Sequence, residues 1–227
     1  METWFLLRSP AGSAAYNMAL DEALLSCVEK CGASPIFRFY SWSEPAASFG
    51  YFQRYAEVAA ATPLRPLVRR PTGGGIVPHG RDWTYSLCVP PSHAWYRLKA
   101  LDSYRQIHQW IRVAFEILGI RARLAPTRRV SAPGQCFAGA EQFDVLFRNC
   151  KIAGAAQRRT QDGLLIQGSI QPPAEADRDA WERAICGRAA EEWSVQWAVW
   201  QPPSDVERQA AALAANKYSK DHYNQHR

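Results

Sequence analysis

Apolar residues recur along the chain with two periods. Between residues 13 and 30, Tyr16, Ala19, Leu20, Ala23, Leu24, Cys27 and Val28 fall three and four apart. That spacing predicts a helix with one apolar face, and Gly32 supplies a stop. A second helix is predicted over Asp102–Leu118, with Ile107, Ile111, Ala114 and Leu118 on one side, Asp102 or Ser103 as cap and Gly119 beyond its end. A third is predicted over Ala174–Cys186, between Pro172-Pro173 and Gly187, and a fourth over Asp205–Tyr218. The residues from Lys217 to Arg227 are polar and are expected to fray.

Shorter apolar runs read as strands: Thr3–Arg8, Ile36–Trp42, Leu67–Arg70, Thr84–Val89, Phe143–Phe147, Lys151–Ala156 and Leu164–Ile170. The last three predict a meander, turning at Arg148-Asn149 and again at Thr160-Gln161-Asp162-Gly163. Strands cluster instead of alternating with helices, which predicts an α+β domain. No linker or repeat divides the chain, so residues 1–216 are expected to form one domain with a tail of residues 217–227. Arg121–Ala140, with two prolines and two glycines, reads as a long loop of the kind that often carries function.

Composition narrows the classes. The 227 residues are 47% hydrophobic and 21% charged, ordinary for a globular protein and unlike a disordered or coiled-coil chain. The N-terminus has no basic leader and no run reaches membrane-spanning length, so a cytoplasmic protein is expected. Six cysteines then read as free thiols, and Cys27 and Cys31, without two further ligands, as packing; no metal is expected. A net charge of +6 suits an acidic partner. The basic residues are scattered, Arg128-Arg129 and Arg158-Arg159 being the small pairs, which argues against nucleic acid.

Three segments carry candidate chemistry. Arg69-Arg70-Pro71-Thr72-Gly73-Gly74-Gly75 runs on to His79. Three glycines let a backbone approach a ligand, and the arginines can neutralise a phosphate or carboxylate, although a glycine triplet by itself is also a tight turn. The segment is neither a P-loop nor GxGxxG. Gln135-Cys136-Phe137 puts a thiol on the long loop: a nucleophile if cations stabilise its thiolate, a small buried residue otherwise. In Cys150-Lys151-Ile152-Ala153-Gly154-Ala155-Ala156-Gln157, strand alternation places Lys151, Ala153 and Ala155 on one face. A lysine among small residues leaves room for a ligand, or it is simply an edge lysine that discourages aggregation.

Together with Asn17-Met18-Ala19-Leu20-Asp21-Glu22-Ala23, Phe39-Tyr40-Ser41-Trp42-Ser43-Glu44-Pro45, Ser48-Phe49-Gly50-Tyr51-Phe52-Gln53, Thr84-Tyr85-Ser86-Leu87 and Gly168-Ser169-Ile170, these segments resemble the lipoate–protein ligase and octanoyltransferase family, relatives of biotin–protein ligases. The resemblance covers roughly residues 1 to 200. It implies a mixed, mainly antiparallel sheet flanked by helices. It also implies one of two chemistries: ATP-dependent lipoate ligation, or octanoyl transfer through a cysteine thioester from acyl carrier protein to a lysine of a lipoyl domain or of glycine-cleavage H protein. Cys136-Phe137 and Thr84-Tyr85-Ser86 resemble the transferase pattern, and the chain has no stretch matching the accessory C-terminal domain of many ligases. The transferase reading needs no cofactor; ATP and Mg²⁺ enter only for a ligase.

On this resemblance Cys136 is the expected nucleophile, and Lys151 stabilises its thiolate and orients the acyl carbonyl. Arg70, Thr72, Gly73, Gly74, Gly75, His79, Tyr85, Ala153, Gly154, Ala155, Gln167 and Gly168 are expected to bind substrate, and the protein is expected to be a monomer. The sequence departs from the family pattern at Gly75, where many transferases have arginine, at Gly80, where an acidic residue is usual after the histidine, and at Gln167, where histidine is usual. The rival readings are a ligase, an amidotransferase moving octanoyl or lipoyl between lipoyl proteins, and a non-catalytic binder of acylated lipoyl proteins.

Overall fold

The computed structural model describes residues 1–128 and 139–227. Along the chain run β1 (Glu2–Arg8), α1 (Ala14–Cys27), β2 (Ile36–Tyr40), β3 (Ala46–Phe49), α2 (Tyr55–Ala61), β4 (Leu67–Arg69), β5 (Val77–His79), β6 (Trp83–Val89), α3 (Ala94–Arg97) and α4 (Ala100–Ile117). After these come β7 (Arg123–Leu124), β8 (Val145–Phe147), β9 (Cys150–Thr160), β10 (Gly163–Ile170), α5 (Arg178–Trp193), β11 (Val195–Val199), α6 (Ser204–Leu213), a π-helical turn (Ala214–Tyr218) and α7 (Asp221–Asn224).

Eight strands form one sheet in the order β11-β1-β2-β6-β10-β9-β8-β7. Only β11-β1 and β1-β2 are parallel; the five remaining pairings are antiparallel. A smaller sheet, β4-β3-β5, stands beside it. The mixed, mainly antiparallel sheet flanked by helices is therefore the one the resemblance implies. The Arg148-Asn149 turn has positive φ at both residues, 48° and 66°, as a tight hairpin turn requires.

Both faces of the large sheet are covered. On one, α4 and α5 bury Trp110, Ile111 and Trp181 against Trp4, Phe37 and Leu87. On the other, α1 and α6 bury Leu20, Leu24 and Val206 against Leu7, Ile36 and Leu165. Sandwiched there, α1 is buried beyond its predicted stripe: Asn17, Met18, Asp21 and Leu25 are also enclosed. Its two polar members are satisfied by Arg38, which pairs with Asp21 at 2.7 Å and donates to Asn17 Oδ1 at 2.9 Å. Ser13 caps this helix by accepting from the Tyr16 N–H.

Three expectations are corrected. The helix predicted to end at Gly187 starts at Arg178, capped by Asp177, and runs through the glycine to Ser194, which takes the left-handed conformation instead. The second helix begins at Ala100 with neither predicted cap in use; the Ser103 hydroxyl instead meets Gln157 on β9. The polar tail is packed: Tyr218 and Asn224 are buried, and Asn224 accepts from the Arg69 N–H at 2.8 Å. Polar side chains made the tail look solvated, but they are used to bind backbone.

Candidate active site

A narrow cavity opens between β9–β10 of the large sheet and the small sheet. Met18 from α1, Tyr40 and Trp42, Val77, Ala155 and Ala156 make its apolar wall. Ser48, Arg70, His79, Thr84, Lys151, Gln167 and Ser169 supply polar groups, and Gly74, Gly154 and Gly168 complete it. Of the expected site residues, Arg70, Gly74, His79, Lys151, Gly154, Ala155, Gln167 and Gly168 are thus brought together. Cys136 lies outside the described residues. No thiol among the described residues lines the cavity. Burial pushes the thiols of Cys27 and Cys88 far up and that of Cys186 to about 12, so none of these three is a thiolate at neutral pH.

Lys151 is placed by an irregularity in its strand. Leu146 pairs with Lys151, but Val145 pairs with Ala153, so Ile152 is an extra residue in β9. The bulge breaks simple alternation. Ile152 and Ala153 both face the core, and Gly154 comes up beside Lys151. Ala153 is therefore a core residue and does not line the cavity. The Lys151 ammonium meets Asp144 at 2.8 Å, with the two side chains 6% and 0% exposed. Asp144 also accepts from Tyr104 Oη at 2.5 Å and from the Glu141 N–H at 2.6 Å. The carboxylate is held by three donors, and the ammonium is held toward the cavity.

The glycine-rich loop is fastened from below. Arg70 Nε and Nη2 donate to the Gly73 carbonyl at 3.0 and 2.5 Å, and Nη1 donates to Ser48 Oγ at 3.3 Å. Of the three glycines only Gly74 has a left-handed φ, +89°. Thr72, Gly73 and Gly75 do not line the cavity. Thr72 is instead a tether: its hydroxyl donates to Gln167 Oε1 at 2.8 Å, while Gln167 Nε2 donates to Asp21 Oδ2 at 2.7 Å. Gln167 thereby ties the loop to the buried Asp21–Arg38 pair, which gives the departure at this position a structural role. Tyr85 is also behind the wall. Its ring lies where a Cβ on Gly168 would sit, 2.1 Å away, and its hydroxyl has no partner among the described residues.

The departure at Gly80 is answered two residues later. Asp82 Oδ2 meets His79 Nδ1 at 2.8 Å and accepts from Thr84 Oγ1 at 3.0 Å and Ser169 Oγ at 2.7 Å. Burial lowers the His79 pKa and outweighs the upward pull of Asp82, with Arg70 lowering it further. Burial raises the Asp82 carboxyl, but hydrogen bonds from His79, Ser169 and the Gly80 N–H prevail and hold it below its ordinary value. A neutral imidazole beside an ionised carboxylate results. Trp42 stacks on that imidazole at 3.7 Å and donates through Nε1 to Thr84. Sequence reasoning missed Trp42, Ser48, Asp82 and Asp144. For Asp144 the signal was present: a carboxylate one short hairpin upstream of the lysine.

The fold and the cavity define an α+β domain with a narrow, largely apolar slot beneath a fastened glycine-rich loop and the side chains of Lys151 and His79 on its wall. The chain belongs to the lipoyl protein ligase A/B catalytic domain family, whose model matches residues 13–189. It is 36% identical over 181 residues to octanoyltransferase LipM of Kyrpidia tusciae, covering 75% of this chain and 66% of that one. With octanoyltransferase LipM of Staphylococcus aureus the identity is 34% over 188 residues, covering 78% and 68%. The chain spans about two thirds of the length of these curated relatives. Among solved structures, a candidate lipoate protein ligase of T. acidophilum with bound lipoic acid superposes with a TM-score of 0.79 over 100% of both chains at 22% identity, a likeness of fold. Among the described residues, no helix is long and apolar enough to cross a membrane.

Proposed function

We propose that the protein is an octanoyltransferase of protein lipoylation. It takes octanoyl from acyl carrier protein onto Cys136 and passes it to a lysine of a lipoyl domain or of glycine-cleavage H protein. The observation that carries this reading is the cavity itself, an apolar slot with the Lys151 ammonium fixed at its wall by Asp144. The relatives at 34–36% identity support the choice of transferase, as does a cysteine in the Cys136-Phe137 pattern.

The chemistry follows from the groups present. Exchange of a thioester for a thioester is near balance, so loading needs no ATP, and amide formation then runs downhill. The ammonium of Lys151 favours a thiolate beside it and stabilises the oxyanion that forms on the acyl carbonyl. Enclosing the alkyl chain against Met18, Tyr40, Val77 and Ala156 contributes about 0.8 kcal/mol per methylene. A net charge of +6 speeds encounter with acidic carrier domains.

Intact mass spectrometry after mixing with octanoyl-acyl carrier protein, without ATP, tests the reading. A gain of one octanoyl group that disappears in Cys136→Ala is expected. An unmodified protein that acylates a lipoyl domain only from lipoate with ATP and Mg²⁺ would make it a ligase.

A further inference from the structure

Transfer to a lysine leaves one proton to be placed. The acceptor enters as a neutral amine and attacks the acyl thioester. A C–N bond forms, the C–S bond breaks with its electron pair on sulfur, and the nitrogen must shed a proton. The Arg70 guanidinium of the cavity wall cannot receive it, and the Lys151 side chain is already engaged by Asp144 at 2.8 Å.

Three side chains stand in line, Ser48 and His79 on that wall and Asp82 behind it. Ser48 Oγ is 2.8 Å from His79 Nε2, and His79 Nδ1 is 2.8 Å from Asp82 Oδ2. Asp82 is an ionised carboxylate and can only accept, so the proton of the neutral ring sits on Nδ1. Nε2 then presents its lone pair to Ser48, which donates to it. The Ser48 oxygen keeps a lone pair for the cavity, and Arg70 Nη1, 3.3 Å away, opposes any drift of that oxygen. The ring cannot turn, because Trp42 stacks on its face and Asp82 is itself pinned by Thr84 and Ser169. A buried serine that merely satisfied a histidine would need none of this bracing.

We propose that Ser48, His79 and Asp82 form a proton relay for the acyl-transfer step. Ser48 Oγ takes the proton of the attacking amine as it passes its own to His79 Nε2, and Asp82 stabilises the imidazolium that forms. The proton is then returned to the departing sulfur, so that amine and thioester become amide and thiol. The relay rests on the reading of the chain as an octanoyltransferase.

The octanoyl-enzyme, loaded from octanoyl-acyl carrier protein and desalted, is mixed with a lipoyl domain, and transfer per loaded molecule is followed by mass in a single turnover. Ser48→Ala and His79→Gln are expected to slow transfer to the lysine by ~10²-fold or more. Cleavage of the same thioester by hydroxylamine gives a second readout. Its adduct is acidic enough to lose a proton directly to water, so this rate is expected to stay within about threefold of the parent. Should His79→Gln not fold, Ser48→Ala alone decides. Lysine transfer in Ser48→Ala within threefold of the parent overturns the relay. So does an equal fall in both reactions, which would mean a distorted cavity. A parent protein that never loads overturns the transferase reading, and the relay with it.

Discussion

Lys151 lies flat across Gly154, and the contact is closer than any side chain would allow. A Cβ at residue 154 would fall 2.5 Å from Lys151 Cε, 2.7 Å from Nζ and 3.1 Å from Asp144 Oδ1. The obstructed atoms are the mobile end of a lysine, so the strand can survive a methyl group there while the ammonium cannot keep its place. Gly154→Ala is therefore expected to lower octanoyl transfer by ~10²-fold, the scale of an ångström's misplacement at a reacting centre. Its melting temperature should stay within a few degrees of the parent. Parental turnover in this variant, measured under the same acyl-carrier conditions, would show that Lys151 does not act from the position seen. The glycine itself was visible in the sequence, but its reason was not. Strict alternation from Lys151 points to Ala153, and only the extra residue at Ile152 explains why Gly154 is the neighbour.

Elements with a clear period were legible. The helices of residues 13–30 and 102–118 and seven of the strands lie where apolar spacing puts them, within a few residues. Four strands were not. β3 reads Ala-Ala-Ser-Phe, all buried, with neither alternation nor a β-branched residue; β5 contains Pro78; β7 is two residues, Arg123–Leu124, within the stretch that reads as a long loop; β11 follows a helix without a turn signal. The cost was a gap in the site. Ser48 sits on β3 opposite Val77, two residues before His79, and the pairing of these strands alone brings the hydroxyl to the imidazole. Gly187 shows the reverse error, a stop signal in a helix that does not stop. Its φ is helical, it is exposed, and a Cβ there would meet nothing within 4 Å. Gly187→Ala should thus add about 1 kcal/mol through lower backbone freedom in the unfolded chain. For a chain of this length that is a rise of ~2–4 °C in Tm, measurable by calorimetry. An unchanged or lower Tm would place the end of α5 nearer the glycine.

At the scale of the whole molecule, residues 218–224 hold the glycine-rich loop from the side away from the cavity. Arg69, fully buried, precedes the Arg70 that fastens the glycine-rich loop. Its backbone N–H donates to Asn224 Oδ1, its Nη2 donates to the Asn224 carbonyl at 2.8 Å, and its Nη1 reaches the carbonyls of Tyr51 and Gln53, each at 2.7 Å. Asn224 Nδ2 is anchored in turn on the Tyr218 carbonyl at 2.8 Å. The tail, the short strand β4 and the segment after β3 thus share one set of hydrogen bonds. No hydrophobic pattern announces that arrangement, because its contacts are polar side chain to backbone over about 155 residues of sequence. Asn224→Ala keeps the tail's apolar anchor at Tyr218 but leaves the Arg69 N–H buried without an acceptor. Such an orphaned donor costs about 2 kcal/mol. The variant should melt ~4–8 °C lower, and the Arg69 amide, on the small sheet, should exchange with deuterium faster than it does in the parent. Octanoyl transfer should fall with it, because Arg70 directly follows β4 and holds both the loop and Ser48. Faster exchange at Arg69 with parental activity would separate the two roles, leaving the tail a stabiliser of the fold with no hold on the cavity.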